Sequence, residues 1–281
     1  MKRIGIETLL AWAYRQELPK AGSGTVRGHA GPGAGVGGWD MISEFSELHT
    51  LIDMSNHWGC VPDFSTEDEP HPDAVLVGQA VARFGDATFE ACEGYDVLGD
   101  LRLEDGSALT DEERDDCHRR GVAIARINEA RMPATIARLA ILGTHPEWAG
   151  YPVARLPVSN AQGGPAWFRK AVRASANGGP DITIEIDGYD RRRQRPHPGA
   201  YRRTRLTPDP VQIVVDRVEY QAWVLALASL AADLGGALAD HAVDGPDRCL
   251  WPWDGEERRQ TPRVLFPQKS SDASGRARSV A

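Results

Sequence analysis

Residues 209–243 read DPVQIVVDRVEYQAWVLALASLAADLGGALADHAV. Val214, Val218, Leu225, Leu230, Leu234 and Leu238 are apolar along it, and Gly245-Pro246 follows. That pattern predicts one long helix from about Asp209 to Val243, ended by the Gly-Pro pair. Its longest mostly apolar run, Ala222 to Ala232, has 11 residues, against the ~20 that span a bilayer. The chain is therefore expected to be soluble, with no membrane partner, and the long helix could serve as an oligomer face.

Upstream of residue 209 the period is different. Val153 to Val158, Ala166 to Arg173 and Asp181 to Asp187 alternate as strands do, and Asn177-Gly178-Gly179-Pro180 marks a turn between the last two. Before residue 150 the signals are helical again. Ile6 to Leu18 carries Leu9, Leu10, Ala13 and Tyr14 at helical spacing ahead of Pro19. Met41, Phe45, Leu48 and Ile52 predict a helix over 40–56, and a shorter one follows from Asp73 to Phe84. Thr110 with Glu113 makes a capping box for a helix through Asn128, and Pro133 opens another that Gly143 closes. The stretch Gly85 to Gly106 fits either helix or irregular structure.

These readings predict an α+β fold that is mostly helical, with a small antiparallel sheet in the middle and a long C-terminal helix. The expected organisation is a helix over 1–20, a glycine-rich linker over 21–38 and a helical region over 39–150. The sheet, an arginine-rich loop and the long helix follow over 151–257, with a disordered tail over 258–281.

Charge carries the sharpest signal. The chain of 281 residues has a net charge of −8, yet residues 39–118 hold 21 acids and three Arg, while 119–205 hold 16 bases and six acids. Of 32 basic residues 28 are Arg, a bias that GC-rich coding alone produces, so clustering is more informative than number. Trp167 stands beside Arg169, Lys170 and Arg173, and Tyr201 stands within the run Arg191, Arg192, Arg193, Arg195, Arg202, Arg203 and Arg205. Aromatic faces that stack on bases, among cations that follow phosphates, are what nucleic-acid binding requires. Those twelve side chains form the expected nucleic-acid-binding set. The competing expectation is that the basic region meets an acidic surface, either residues 39–118 of the same chain or a protein partner, including a second copy.

Catalytic signals are few. The strand 181–187 puts Asp181, Glu185 and Asp187 on one face, an arrangement that could hold Mg²⁺ for a nuclease, although the lysine of nuclease patterns is absent; ion-paired carboxylates on a solvent face are the alternative. His57, Cys60, His71 and Cys117 offer scattered zinc ligands at no standard spacing. No GxSxG, HExxH or SxxK occurs. The expectation is accordingly a non-enzymatic protein without a metal or other cofactor. Four cysteines without CxxC spacing point to a reducing cytoplasm, and the polar Glu7 and Thr8 argue against a signal peptide at the start.

Several segments taken together resemble a group of uncharacterised prophage-encoded proteins of high-GC bacteria. They are Trp12 to Pro19, Ala137-Arg138-Leu139 through Gly143 to Trp148, Arg217 to Trp223, and Gly245-Pro246 to Trp253. The resemblance implies a phage context, a cytoplasmic location in a bacterial host, and a role in a DNA transaction or late-gene transcription regulation. It assigns no site residues.

Overall fold

A computed structural model describes residues 1–25, 56–63, 65–66, 68–90, 96–173, 182–254 and 263–266. Helix outweighs strand, 42% to 19%, in an α+β arrangement. The expected helix over 40–56 and most of the expected linker lie outside the described residues, as does Asp181.

The helices are α1 (Ile6–Trp12), α2 (Pro72–Ala82), α3 (Asp111–Asn128), α4 (Met132–Leu142) and α5 (Val211–Leu234). The strands are β1 (Lys2–Gly5), β2 (Thr88–Glu90), β3 (Ala154–Pro157), β4 (Phe168–Arg173), β5 (Ile182–Asp187), β6 (Tyr189–Asp190), β7 (Arg195–Pro196), β8 (Thr204–Thr207), β9 (His241–Asp244) and β10 (Arg263–Leu265). All are paired two by two, and β1 with β9 is parallel while the other pairs are antiparallel.

Local chemistry explains the helix ends. The Glu113 N–H donates to Thr110 Oγ1 at 3.3 Å and the Thr110 N–H to Glu113 Oε2 at 2.9 Å, so the reciprocal cap expected from sequence starts α3. Gly143 closes α4 in the left-handed region. Beyond α1 the chain continues as a π-turn over Ala13–Glu17 and a 3-10 turn over Leu18–Thr25, so Pro19 tightens the path instead of stopping it.

Two sequence expectations are corrected. The long helix does not reach Val243: α5 ends at Leu234, because Gly235-Gly236 breaks it and Gly236 adopts φ +81°. Residues 241–244, expected in that helix, form β9 beside β1. Within the expected disordered tail, β10 pairs with β2.

Helix α5 is the axis of the fold. Fifteen of its 24 residues are buried, around its whole circumference. Its C-terminal two thirds, Tyr220 to Leu234, pack with α1, α2 and α4 in the larger core, while Val211 to Val215 pack with Leu98, Leu103, Leu109, Cys117 and Val153 in a second. Gly121 of α3 permits the close crossing, since a Cβ there would lie 2.5 Å from the Val214 Cβ. The buried Arg217 ties α5 to a turn: its guanidinium donates to the Val97 carbonyl at 2.6 Å and to the Asp100 carboxylate at 2.5 and 2.9 Å, and lies over the Trp253 ring. No helix among the described residues is long and apolar enough to cross a membrane.

Candidate nucleic-acid interface

Residues 154–207 leave the helical body as a β arm. Its base is the β3–β8 pair, and Leu206 packs there against the second core. Above it β4 pairs with β5, placing Lys170 opposite Glu185, and Arg169 and Arg173 opposite Ile186 and Ile182. Tyr201 and Phe168 exchange backbone hydrogen bonds at 2.8 and 2.9 Å, which returns the chain along the hairpin. Gly188 makes this possible: a Cβ there would stand 2.7 Å from the Phe168 carbonyl carbon. Its own N–H donates to the Trp167 carbonyl at 2.8 Å.

The arm has no core. Among its described residues only Gly188, which has no side chain, is buried. Val172 and Ile182 are 69% and 58% exposed. Hydrogen bonds, polar contacts and half-buried side chains such as Phe168, Ile184 and Ile186 hold the described part of the arm.

Residues 154–207 carry eleven bases and four acids, and the three acids among the described residues are taken up locally. Glu185 accepts from Arg203 at 2.8 Å and from the Tyr201 hydroxyl, a bond that pushes the Tyr201 phenol above its ordinary range. Asp190 accepts the Arg192 and Arg193 amides at 3.0 and 3.1 Å and lies 3.8 Å from the Arg193 guanidinium. Asp187 lies 3.8 Å from Arg191. No ion pair is formed among the described residues by Arg169, Lys170, Arg173, Arg192, Arg195, Arg202 or Arg205, and Arg169 Nε is buried without a hydrogen-bond partner.

The expected residues gather in three places. Arg169, Lys170, Tyr201 and Arg203 line an open groove of about 860 Å³ with Glu185. Arg202 stacks over Trp167 at 4.9 Å, and Arg203 over Phe168 at 5.6 Å. Arg191, Arg192, Arg193 and Arg195 occupy the turn between β6 and β7 and its exit. Arg173 ends β4, and Arg205 lies in β8.

The described part of the acidic segment meets the arm at its base. Among the described residues, Arg155–Glu113 at 2.6 Å is the ion pair between residues 39–118 and the arm. Arg155 holds the Glu113 carboxyl below the usual range, against the opposing effect of burial and with help from the Thr110 N–H. It sits at the arm's base, away from the arginine turn.

Neither catalytic alternative is assembled among the described residues. Glu185 and Asp187 are engaged by Arg203, Tyr201 and Arg191, and Asp181 lies outside the described residues. The four scattered zinc candidates do not converge: Cys60 belongs to one core and Cys117 to the other, and burial pushes the Cys60 thiol up to about 11.

No family model matches this chain, and neither a curated protein nor a solved structure matches it.

Sequence reasoning missed a cluster at the far end of the body, formed by His71, Asp73, Asp240 and His241 around Trp12. Asp73 is fully buried. Its Oδ1 accepts the Ala239 N–H at 2.8 Å, and its Oδ2 accepts the Asp240 N–H at 3.0 Å and His241 Nδ1 at 2.8 Å. Burial alone would raise its pKa, but these bonds win and hold the carboxyl below the usual range. His71 Nδ1 accepts the Asp73 N–H at 3.1 Å, so neutral His71 carries its proton on Nε2, where it donates to Asp240 at 3.2 Å. His71, Asp73 and Asp240 have ligand atoms within 4.8 Å of one another, but a cation on His71 Nε2 would force the proton onto Nδ1, against the Asp73 N–H. The cluster works as a clamp on β9. His71-Pro72-Asp73 at a helix start is its trace in the sequence, and the partners 168 residues away left none.

The segments that carry the prophage resemblance also converge in the body. Tyr220 lies among Trp148, Trp223 and Trp253, and its hydroxyl donates to the Cys249 carbonyl at 3.1 Å. They form packing around α5 and take no part in the arm.

Proposed function

We propose that the chain is a non-enzymatic nucleic-acid-binding protein that engages phosphates and bases through the β arm, in a DNA transaction or late-gene regulation within a phage-infected or lysogenic bacterial cytoplasm. The observation that carries this reading is the surplus of cations without ion pairs on an arm that has no core. Seven such groups stand among its described residues beside the Trp167–Arg202 stack. Six of the seven are guanidinium groups, whose planar fork suits phosphate. A two-stranded ribbon also fits the major groove of duplex DNA.

Fluorescence anisotropy with a labelled duplex and a labelled single strand over a salt series tests the proposal. With about six phosphates neutralised, log Kd against log salt has a slope near 5 for duplex. Changing Arg191, Arg192 and Arg193 together to Ala lowers both affinity and slope. Trp167→Ala weakens single-strand binding more than duplex binding, because stacking needs an unpaired base face. Absence of binding to either probe at ~50 mM salt, where counterion release favours it most, refutes the proposal. The exposed Val172 and Ile182 beside Arg173 favour a second reading, docking on an acidic protein surface. Under that reading both nucleic-acid probes fail, and an acidic protein partner binds with the same dependence on the arginines.

A further inference from the structure

A second concave site lies on the body. The C-terminal end of α3, the start of α4, the middle of α5 and β2 enclose a cavity of about 340 Å³, within the range of small-molecule sites. Val122, Ala125, Met132, Val218 and Ala222 give it apolar walls. Gln221 also lines it, 8% exposed, and its amide nitrogen is buried with no hydrogen-bond partner among the described residues. Two other polar side chains of the wall are occupied, since Asn128 donates to Glu219 at 2.7 Å and Glu129 accepts the Phe89 amide, and the wall residues Arg126, Arg131 and Arg138 are exposed to solvent. A buried amide donor without a partner is costly, and an acceptor brought by a ligand relieves that cost. Arg126, Arg131 and Arg138 line the cavity together with Glu90, Glu129 and Glu219, so the charges of its wall sum to zero and favour no ion of either sign.

We propose that this cavity binds an uncharged small molecule with a flat or compact apolar body and one carbonyl oxygen, which accepts a hydrogen bond from the Gln221 amide. The apolar walls take the body, and the carbonyl supplies the acceptor that the fold withholds. A ligand here would bridge α3, α4 and α5, but the proposal is independent of any activity of the arm.

Prodan, a neutral naphthalene with one ketone and an emission that reports polarity and hydrogen bonding, is a direct probe. Titration of the full chain should give saturable 1:1 binding with blue-shifted emission. Gln221→Met keeps the shape and removes the donor, so Kd should rise about five- to tenfold. Without probe the same variant should melt no lower than the parent, because an unmet donor is gone. Thr135→Trp and Leu225→Trp, each at a partly exposed wall position, should abolish saturable binding; either suffices provided its circular dichroism is unchanged. No saturable binding by the parent chain, or equal affinity in folded tryptophan variants, overturns the site. Equal affinity in Gln221→Met overturns the carbonyl assignment.

Discussion

Asp73 is where one substitution should do most damage to the fold. Its carboxylate takes three donors from Ala239, Asp240 and His241, and with them fixes the loop that delivers β9 to β1. In Asp73→Ala two backbone N–H groups and an imidazole N–H lose their acceptor at a fully buried position. A buried donor left unmet costs ~1–3 kcal/mol. Water entry and relaxation near the half-exposed His71 offset part of the total, so the expected loss is about 3–5 kcal/mol, as for breaking a buried charged pair. For a chain of this size that corresponds to a melting point lower by roughly 6–15 °C. Asp73→Asn keeps one acceptor oxygen but turns an NH₂ toward the remaining donors, and should lose about 2–3 kcal/mol. Urea unfolding at pH 7 followed by tryptophan fluorescence measures both. The pH dependence follows from the depressed carboxyl. Its stabilisation is complete above the unfolded value near 3.9 and is lost as pH falls through the lower folded value. The gap between parent and Asp73→Asn should therefore be widest at neutral pH and close in acid. A loss under 1 kcal/mol for Asp73→Ala at pH 7, or a gap that widens on acidification, would refute the clamp.

Gly188→Val should disorder the arm and weaken nucleic-acid binding at least tenfold while the body's melting point moves by less than ~2 °C, since the arm shares almost no core with it; calorimetry with anisotropy checks this. Arg217→Ala should destabilise by about 3–5 kcal/mol by stranding Asp100 and the Val97 carbonyl, whereas Arg217→Met, which restores apolar volume beside Trp253, should cost less; paired urea titrations decide. Gly121→Ala should cost about 1–3 kcal/mol, because its methyl group meets Val214 and the Val211 carbonyl at 3.1 Å. Thr110→Ala should lower stability by ~1 kcal/mol through loss of the α3 cap, measurable by the same titration.

Local rules were legible in the chain wherever partners lie within a few residues. The capping box at Thr110 and Glu113, the left-handed cap at Gly143 and the alternation of Ile184 and Ile186 with exposed neighbours depend on spacings of two to four residues, and the structure reproduces them, with Ile182 exposed at the strand's start. The end of α5 was legible too, in Gly235-Gly236, but the apolar Leu238 and Val243 suggested helix; Val243 instead lies in β9, the strand beside Ile4 of β1. Strand pairing across 239 residues has no local signature, because β1 and β9 each look like helix margin until placed side by side.

The arginine-rich arm shows the same division. The sequence by itself determined that cations cluster over 169–205 and that aromatic residues stand among them, since both are facts of order along the chain. Only the tertiary structure decided that the acids of 39–118, among the described residues, meet the arm at Arg155, through its ion pair with Glu113 and its attraction to Asp105, and that Glu185, Asp187 and Asp190 are consumed by neighbours. Charge neutralisation depends on distance through space, falling away beyond a Debye length of ~8 Å in physiological salt, and a sequence holds no such distances. The same is true of Gln221, an unremarkable polar residue in the run 209–243 until α3 and α4 close a cavity over it.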